Sequence, residues 1–291
     1  EYWDYVFTYF LDELKKGRTP NPDVMCNKYI KFDYFVKEAK KLGAKYIATG
    51  HYARIVDHKL YKGLDENKDQ TYFLAQLTSE QLENVLFPIG DLNKKEVRKI
   101  ASDYDLITKD KKDSTGICFI GERHFKDFLE NYLPNLPGDI VDIATGKVIG
   151  KHIGLMYYTI GQRRGLNIGG NLERQFVVGK DLKKNILYTA VGEDNPYLFS
   201  DSCIIDSLVL NTDEKIEKCN AKFRYRSKDV PVRLTYLSDQ EILVSYDKAK
   251  SVTPGQLCAL YQEDGRCLGS GIIKEVRKDN KPLWYLLPKE D

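Results

Sequence analysis

No run of about 18 apolar residues occurs in the 291-residue chain, so no membrane-spanning helix is predicted. The first residues, Glu1-Tyr2-Trp3-Asp4-Tyr5, lack the basic-then-apolar order of a signal peptide. Two common nucleotide loops are missing: G-x-x-x-x-G-K-S/T and G-x-G-x-x-G. No C-x-x-C pair joins the six cysteines (Cys26, Cys118, Cys203, Cys219, Cys258 and Cys267), which argues against a zinc ribbon. Without a signal peptide they do not read as a secreted disulfide framework either. Each defaults to a reduced, buried thiol of a cytoplasmic protein. Four histidines without clustered spacing give no His-rich metal site. Charge of one sign is also missing. The 45 basic and 43 acidic residues leave +2, which neither announces nucleic acid nor excludes a local basic stripe. No low-complexity tract argues for disorder. An initiating Met is absent, and the chain opens in what reads as the middle of a helix, so a truncated start is the expectation.

What is present is an ordinary globular composition, 42% hydrophobic and 30% charged, long enough for more than one core. Residues 1–16 are predicted helical, with Phe7, Phe10, Leu11 and Leu14 on one face and Gly17 at the stop. Pro20 and Pro22 predict a stiff, non-helical loop over 18–27. A second helix at about 30–42, a short strand at 45–49 and Gly50-His51 give the rhythm of a parallel α/β unit. Ligands of such sheets bind beyond the carboxyl ends of strands, where Gly50 and His51 fall. Further helices are predicted near 69–77, 79–86, 94–104 and 122–132. In the third of these Val97, Ile100, Ala101 and Tyr104 are in register. Past about residue 133 the pattern turns to glycine and short strands. Residues 200–291 read as all-β, with alternation at 230–236 and 241–246 and a hairpin turn at Asp264-Gly265, which suggests a small barrel. The expected divisions are 1–133, 134–198 and 199–291.

Four constellations bear chemistry. Cys26 follows Asn-Pro-Asp next to a helix start, with Arg18 and Lys28 near in sequence; both features lower a thiol pKa, and Asp23 suits proton transfer. Cys118 follows Lys111-Lys112-Asp113-Ser114-Thr115-Gly116, a polar turn with two cations. Gly50-His51-Tyr52-Ala53-Arg54 offers a close-approach glycine with phosphate- or base-contacting side chains. Tyr157-Tyr158-Thr159-Ile160-Gly161-Gln162-Arg163-Arg164 and Arg224-Tyr225-Arg226 place aromatics beside arginines, as RNA stacking and phosphate contact require. Taken singly, each also fits a buried structural cysteine, a hydrogen-bonded histidine or a solvated arginine pair.

In order along the chain, segment 17–27, Gly50-His51-Tyr52-Ala53-Arg54, Lys68-Asp69-Gln70-Thr71-Tyr72-Phe73-Leu74, segment 113–121, Thr159-Ile160-Gly161-Gln162-Arg163 and Val252-Thr253-Pro254-Gly255-Gln256 together resemble the tRNA-specific 2-thiouridylase family. The resemblance covers essentially the whole chain, and the two Cys-bearing segments are its most specific part. It implies an α/β fold with an adenine-nucleotide α-hydrolase-like (PP-loop) catalytic domain, a small central domain and a C-terminal β-barrel. It also implies ATP as co-substrate with Mg2+, tRNA as partner, and a sulfur-carrier protein that delivers persulfide sulfur; a monomer is the expectation. Cys118 resembles the persulfide carrier, and Cys26 the thiol that attacks it, leaving a transient Cys26–Cys118 disulfide. Asp23 resembles the acid or base beside the target base, with Asn21 and Pro22 completing that contact. Gly50 resembles an ATP contact, and His51, Lys68, Asp69, Gln70, Arg224, Tyr225 and Gln256 resemble tRNA contacts. The family's S-G-G-x-D-S loop, which grips pyrophosphate, does not occur in these residues, so weak ATP binding by the chain as written is expected. Three rival readings stay open. They are a non-catalytic tRNA-binding fragment, an iron–sulfur tRNA thiolase with Cys26 and Cys118, and Asp23 as a further candidate ligand, holding the cluster, and an amide-forming ligase of the same adenylating superfamily.

Overall fold

A computed structural model describes residues 1–111, 125–169, 173–212, 214–283 and 285. Helical turns over Trp3–Phe7 and Thr8–Lys15 open the chain. They stop where Gly17 takes a positive φ of 73°, Gly17 N–H donates to Leu14 and Arg18 N–H to Glu13. That pair of bonds is the Schellman ending, which only glycine adopts without strain. Phe7, Phe10 and Leu14 are buried against Leu129 and Leu133, the apolar face predicted from sequence.

The segment predicted as non-helical contains a short helix, Pro22–Met25. The reason is positional. Pro22 stands in the first helical turn, where its missing N–H costs nothing, and the Asn21 side chain accepts from Val24 N at 3.4 Å. Wider π-helical turns come next over Cys26–Tyr34, then regular helix over Phe35–Lys41. The strand Ile47–Ala48 pairs in parallel with Val85–Leu86. The latter lies inside the stretch predicted as helix 79–86, of which only Ser79–Leu82 is helical. A hairpin, Ala53–Val56 with Lys59–Lys62, was not anticipated. Its turn puts Asp57 and His58 at positive φ, a conformation their sequence does not advertise as Asn-Gly would. Helix Lys94–Asp103 lies where the pattern put it, but none of its residues is buried.

Four strands form the central sheet in the order Val148–His152, Gly138–Asp142, Ile186–Val191, Gln175–Asp181. The C-terminal part is a closed barrel. Leu257–Tyr261, Lys218–Lys222, Val230–Tyr236, Ile242–Lys250, Phe199–Leu210 and Cys267–Lys278 neighbour one another in that order, and the last pairs back onto the first. The predicted hairpin is there, turning at Gly265 with φ 86°.

Strand Leu257–Tyr261 explains how barrel and N-terminal region join. Every residue of it is buried. Side chains alternate across a strand. Cys258 and Leu260 enter the barrel core, whereas Leu257, Ala259 and Tyr261 belong to a second core with Val24, Met25, Phe32, Tyr72 and Leu74. Polar bonds stitch the same seam. Tyr72 Oη donates to Leu257 O at 3.2 Å, Gln76 Nε2 to Ser270 Oγ at 3.0 Å, and Asn211 Nδ2 to Leu77 O at 2.8 Å.

Candidate RNA and thiol site

Cys26 is buried, 2% exposed, at the end of the Pro22–Met25 helix. It is a free thiol. Asp23, in the first turn of that helix, is partly exposed. The cations expected to favour a Cys26 thiolate have other partners. Arg18 Nη1 pairs with Glu13 at 3.3 Å, and Lys28 Nζ donates to Gln76 Oε1 at 2.8 Å. Cys118, its proposed partner, lies outside the described residues, and with it the expected disulfide.

Beside this segment is a groove of about 520 Å³ lined by Thr159, Arg224, Tyr225, Arg226, Ser227 and Gln256. It forms where three parts of the chain meet. Arg224 Nη2 donates to Ile160 O at 2.6 Å and to Thr253 Oγ1 at 2.9 Å, tying the barrel loop to the central region. Burial lowers the Arg224 pKa from the usual arginine value. The guanidinium nonetheless keeps its proton, because arginine is not deprotonated in proteins. The Tyr225 ring packs on Phe73 at 4.5 Å, and its hydroxyl lies 3.5 Å from Lys68 O. This leaves the groove with an aromatic wall and guanidinium groups, the pairing that stacks on bases and holds phosphates.

The neighbouring 68–70 segment is arranged differently from its expected role. Asp69 is 4% exposed. Its carboxylate accepts from Gly63 N at 3.1 Å and Thr71 Oγ1 at 2.8 Å, and lies 3.7 Å from Lys222 Nζ. A carboxylate so enclosed orders the loop against the barrel and is shielded from an incoming RNA. Gln70 Oε1 accepts from Tyr52 N at 3.0 Å, while Lys68 is only partly buried. His51 Nδ1 is 2.7 Å from Thr49 Oγ1, and the ring packs on Phe32 and Phe87. Burial, aided by Lys31, pushes the His51 pKa down to about 4, so the ring is neutral near pH 7 and offers hydrogen bonds rather than charge. Gly50 is exposed just past the parallel strand, with nothing within 4 Å of where a Cβ would stand.

Comparison with known proteins fixes the family. Residues 1–122 match a model described as tRNA methyl transferase HUP domain, 126–191 its PRC-barrel domain, and 200–273 an aminomethyltransferase beta-barrel domain. The tRNA-specific 2-thiouridylase MnmA of Bacillus licheniformis is 56% identical over 299 residues, covering 98% of this chain and 79% of its own length. Its namesake in Staphylococcus aureus is 54% identical over 298 residues, covering 99% and 80%. That of Mycoplasmopsis synoviae is 52% identical over 288 residues, covering 98% and 77%. The chain belongs to the tRNA-specific 2-thiouridylase family.

Seen as a 2-thiouridylase, the chain brings together several of the residues singled out from sequence. Asn21, Pro22, Asp23 and Cys26 share one short helix and its cap. Arg224, Tyr225 and Gln256 share one groove. Lys68 and Tyr225 are linked by the hydroxyl contact above. Gly50 and His51 lie beyond the parallel strand Ile47–Ala48 and are not among the residues that line the groove. Sequence reasoning missed Thr19 and Ser227, and it missed the charge cluster of Lys62, Asp69, Lys222 and Asp229. No local motif announces that cluster, because its members meet only through the barrel.

Proposed function

We propose that this chain acts in tRNA 2-thiolation, replacing the C2 oxygen of the wobble uridine with sulfur. The domain descriptions speak of methyl transfer and the relatives' names of thiolation. We favour thiolation, because relatives named for it, 52–56% identical overall, align with nearly the whole chain, 98–99% of it. The observation that carries the reading is the junction of the Asn21-Pro22-Asp23…Cys26 helix with a groove of arginine and tyrosine.

In this reading the uracil O2 takes the adenylyl group of ATP, the co-substrate, as pyrophosphate leaves, and the poor leaving group becomes AMP. Sulfur arrives as a persulfide on Cys118. The Cys26 thiolate attacks Cys118 Sγ, the persulfide S–S bond breaks, and the released hydrosulfide adds at C2 as AMP departs. A Cys26–Cys118 disulfide remains, and a thiol reductant must supply two electrons before the next turnover. Thiolate and hydrosulfide are effective nucleophiles at neutral pH. Asp23 serves as proton acceptor or donor at the base, with Asn21 and Pro22 against it. The base leaves its stack to reach them. Lys68, Gln70, His51, Arg224, Tyr225 and Gln256 support the surrounding RNA. Asp69 supports it indirectly, through its loop. The Gly50 corner is the proposed nucleotide contact, with Mg2+ accompanying ATP. A sulfur-carrier protein is the expected donor partner, and the three-part division at about 133 and 198 is retained.

Nucleoside analysis of tRNA from cells depleted of the protein tests this reading. 2-Thiouridine should disappear and return with wild-type protein but not with Cys26→Ser. Unchanged 2-thiouridine on depletion would remove the assignment.

A further inference from the structure

The barrel turn 254–256 grips one residue of the segment that bears Asn21, Asp23 and Cys26. Thr19 N–H donates to Pro254 O at 2.9 Å, and Thr19 C=O accepts from Gln256 Nε2 at 2.6 Å. Thr19 Oγ1 also lies 3.4 Å from Thr159 Oγ1. Between the two backbone bonds Gly255 sits at φ +90°, and a Cβ there would stand 3.0 Å from the Thr19 backbone N and C. Gly255 therefore serves both the turn and the close approach. Thr19 leads directly into Pro20-Asn21-Pro22, in which both prolines have a fixed φ and are buried. A displacement at Thr19 is poorly absorbed by so stiff a link and passes on to Asp23 and Cys26. Gln256 faces the groove as well, and its Oε1 is 3.5 Å from Tyr72 Oη.

We propose that the 254–256 turn is a clamp that sets the position of the reactive segment, with Gln256 a positioning residue acting through Thr19. The RNA groove and the thiol are thereby registered to each other by one side chain. This rests on the assignment of Asp23 and Cys26 to the chemistry above, but its test does not require that chemistry.

The test measures iodoacetamide labelling of Cys26 in the RNA-free protein, read by peptide mass spectrometry, with tRNA affinity measured in parallel by fluorescence anisotropy. Gln256→Glu keeps the side-chain size but replaces the N–H donor facing Thr19 O with an acceptor. Gln256→Met removes the donor without adding charge. Gly255→Ala crowds Thr19 directly. Each should speed Cys26 labelling about tenfold, because losing or straining the grip on the half-buried Thr19 favours local opening of the segment. Labelling of Cys203, which is fully buried inside the barrel, should stay at the wild-type rate. If Gln256 is only an RNA contact, its variants weaken tRNA binding yet leave Cys26 labelling unchanged, and the clamp is wrong. A parallel rise at Cys203 reports loss of the whole fold and also counts against it. Absence of tRNA binding by the wild-type protein would instead strike the functional assignment, and the labelling comparison would still decide the clamp.

Discussion

The barrel and the first 111 residues bury their apolar side chains in opposite ways. The barrel closes on itself and packs its interior into one continuous core with Ile140, Val177 and Leu187 of the central sheet, and Leu237 is an isolated exposed hydrophobe on its surface. The N-terminal part leaves Leu42 90% exposed, Tyr104 77% and Ile107 fully so. It completes its main core only by borrowing Leu257, Ala259, Tyr261, Cys267 and Ile272 from the outer face of the barrel. The difference teaches that the candidate site belongs to neither part. It is built at the seam, where one strand serves two cores and one turn holds the thiol-bearing segment.

Cutting the shared strand should break this comparison most severely. Tyr261 is fully buried, shares a 3.2 Å hydroxyl contact with Thr71, and carries Lys62 over its ring at 4.4 Å. Tyr261→Ala should cost about 3–5 kcal/mol in chemical denaturation, as large-to-small substitutions of buried aromatics do. A loss under about 1 kcal/mol would show that the two cores are energetically separate.

A second seam joins the end of the first helix to the central sheet. Lys180 is 2% exposed and donates from Nζ to Gly17 O at 3.0 Å. Burial lowers its pKa from 10.5 to about 7. Linkage then gives the sign. Between pH 7 and 10.5 the unfolded chain holds a proton that the folded chain does not, so stability rises with pH across that window. Below pH 7 both states are protonated and the burial penalty is constant. Unfolding free energy should therefore increase on the order of 3 kcal/mol from about pH 7 to 10 relative to Lys180→Met. Parallel pH profiles of the two proteins would show that the ammonium is better solvated than its burial implies.

A smaller effect is expected from the charge cluster on the seam. Lys222 Nζ stands 3.7 Å from Asp69 and 3.8 Å from Asp229, and Asp229 also pairs with Lys62. Lys222→Met leaves the buried Asp69 carboxylate with less compensation and should destabilise by about 2 kcal/mol. If Asp69 orders the loop against the barrel, tRNA affinity should fall in the same variant and recover in Lys222→Arg. An affinity loss that Lys222→Arg does not restore would assign Lys222 to packing alone.

Much of this architecture was legible in the sequence, and the failures have physical causes. Gly17 announced its helix end, and Asp264-Gly265 its hairpin, because both conformations depend on local backbone chemistry. Pro22 misled because proline forbids helix interiors but suits the first turn, and only the Asn21 cap distinguishes the cases. Asn21, Asp23 and Cys26 stand close together in sequence, and the family resemblance gave them a common role. The burial of Asp69 and the grip of Gln256 on Thr19 could not be read there, since both depend on contacts between residues far apart in the chain.

Helix Lys94–Asp103 is the limiting case of that lesson and gives the smallest predicted effect. Its periodicity named a helix and an apolar face but not what the face meets, and no residue of it is buried. Its order rests on local chemistry. Asn93 Oδ1 accepts from Lys95 N at 3.0 Å and Glu96 N at 3.1 Å, Glu96 Oε2 accepts from Asn93 N at 2.7 Å, and Lys94 N donates to Asp65 Oδ2 at 3.0 Å. Asn93→Ala removes the single acceptor of two cap bonds and should cost the helix about 1 kcal/mol. With no buried side chain to transmit the loss, amide exchange should quicken about fivefold at Lys95 and Glu96, while strand Leu257–Tyr261 keeps its protection. Faster exchange in that strand as well would mean that this surface helix is energetically coupled to the seam, and the contrast between a closed barrel and an N-terminal region that shares its outer face would have to be redrawn to include it.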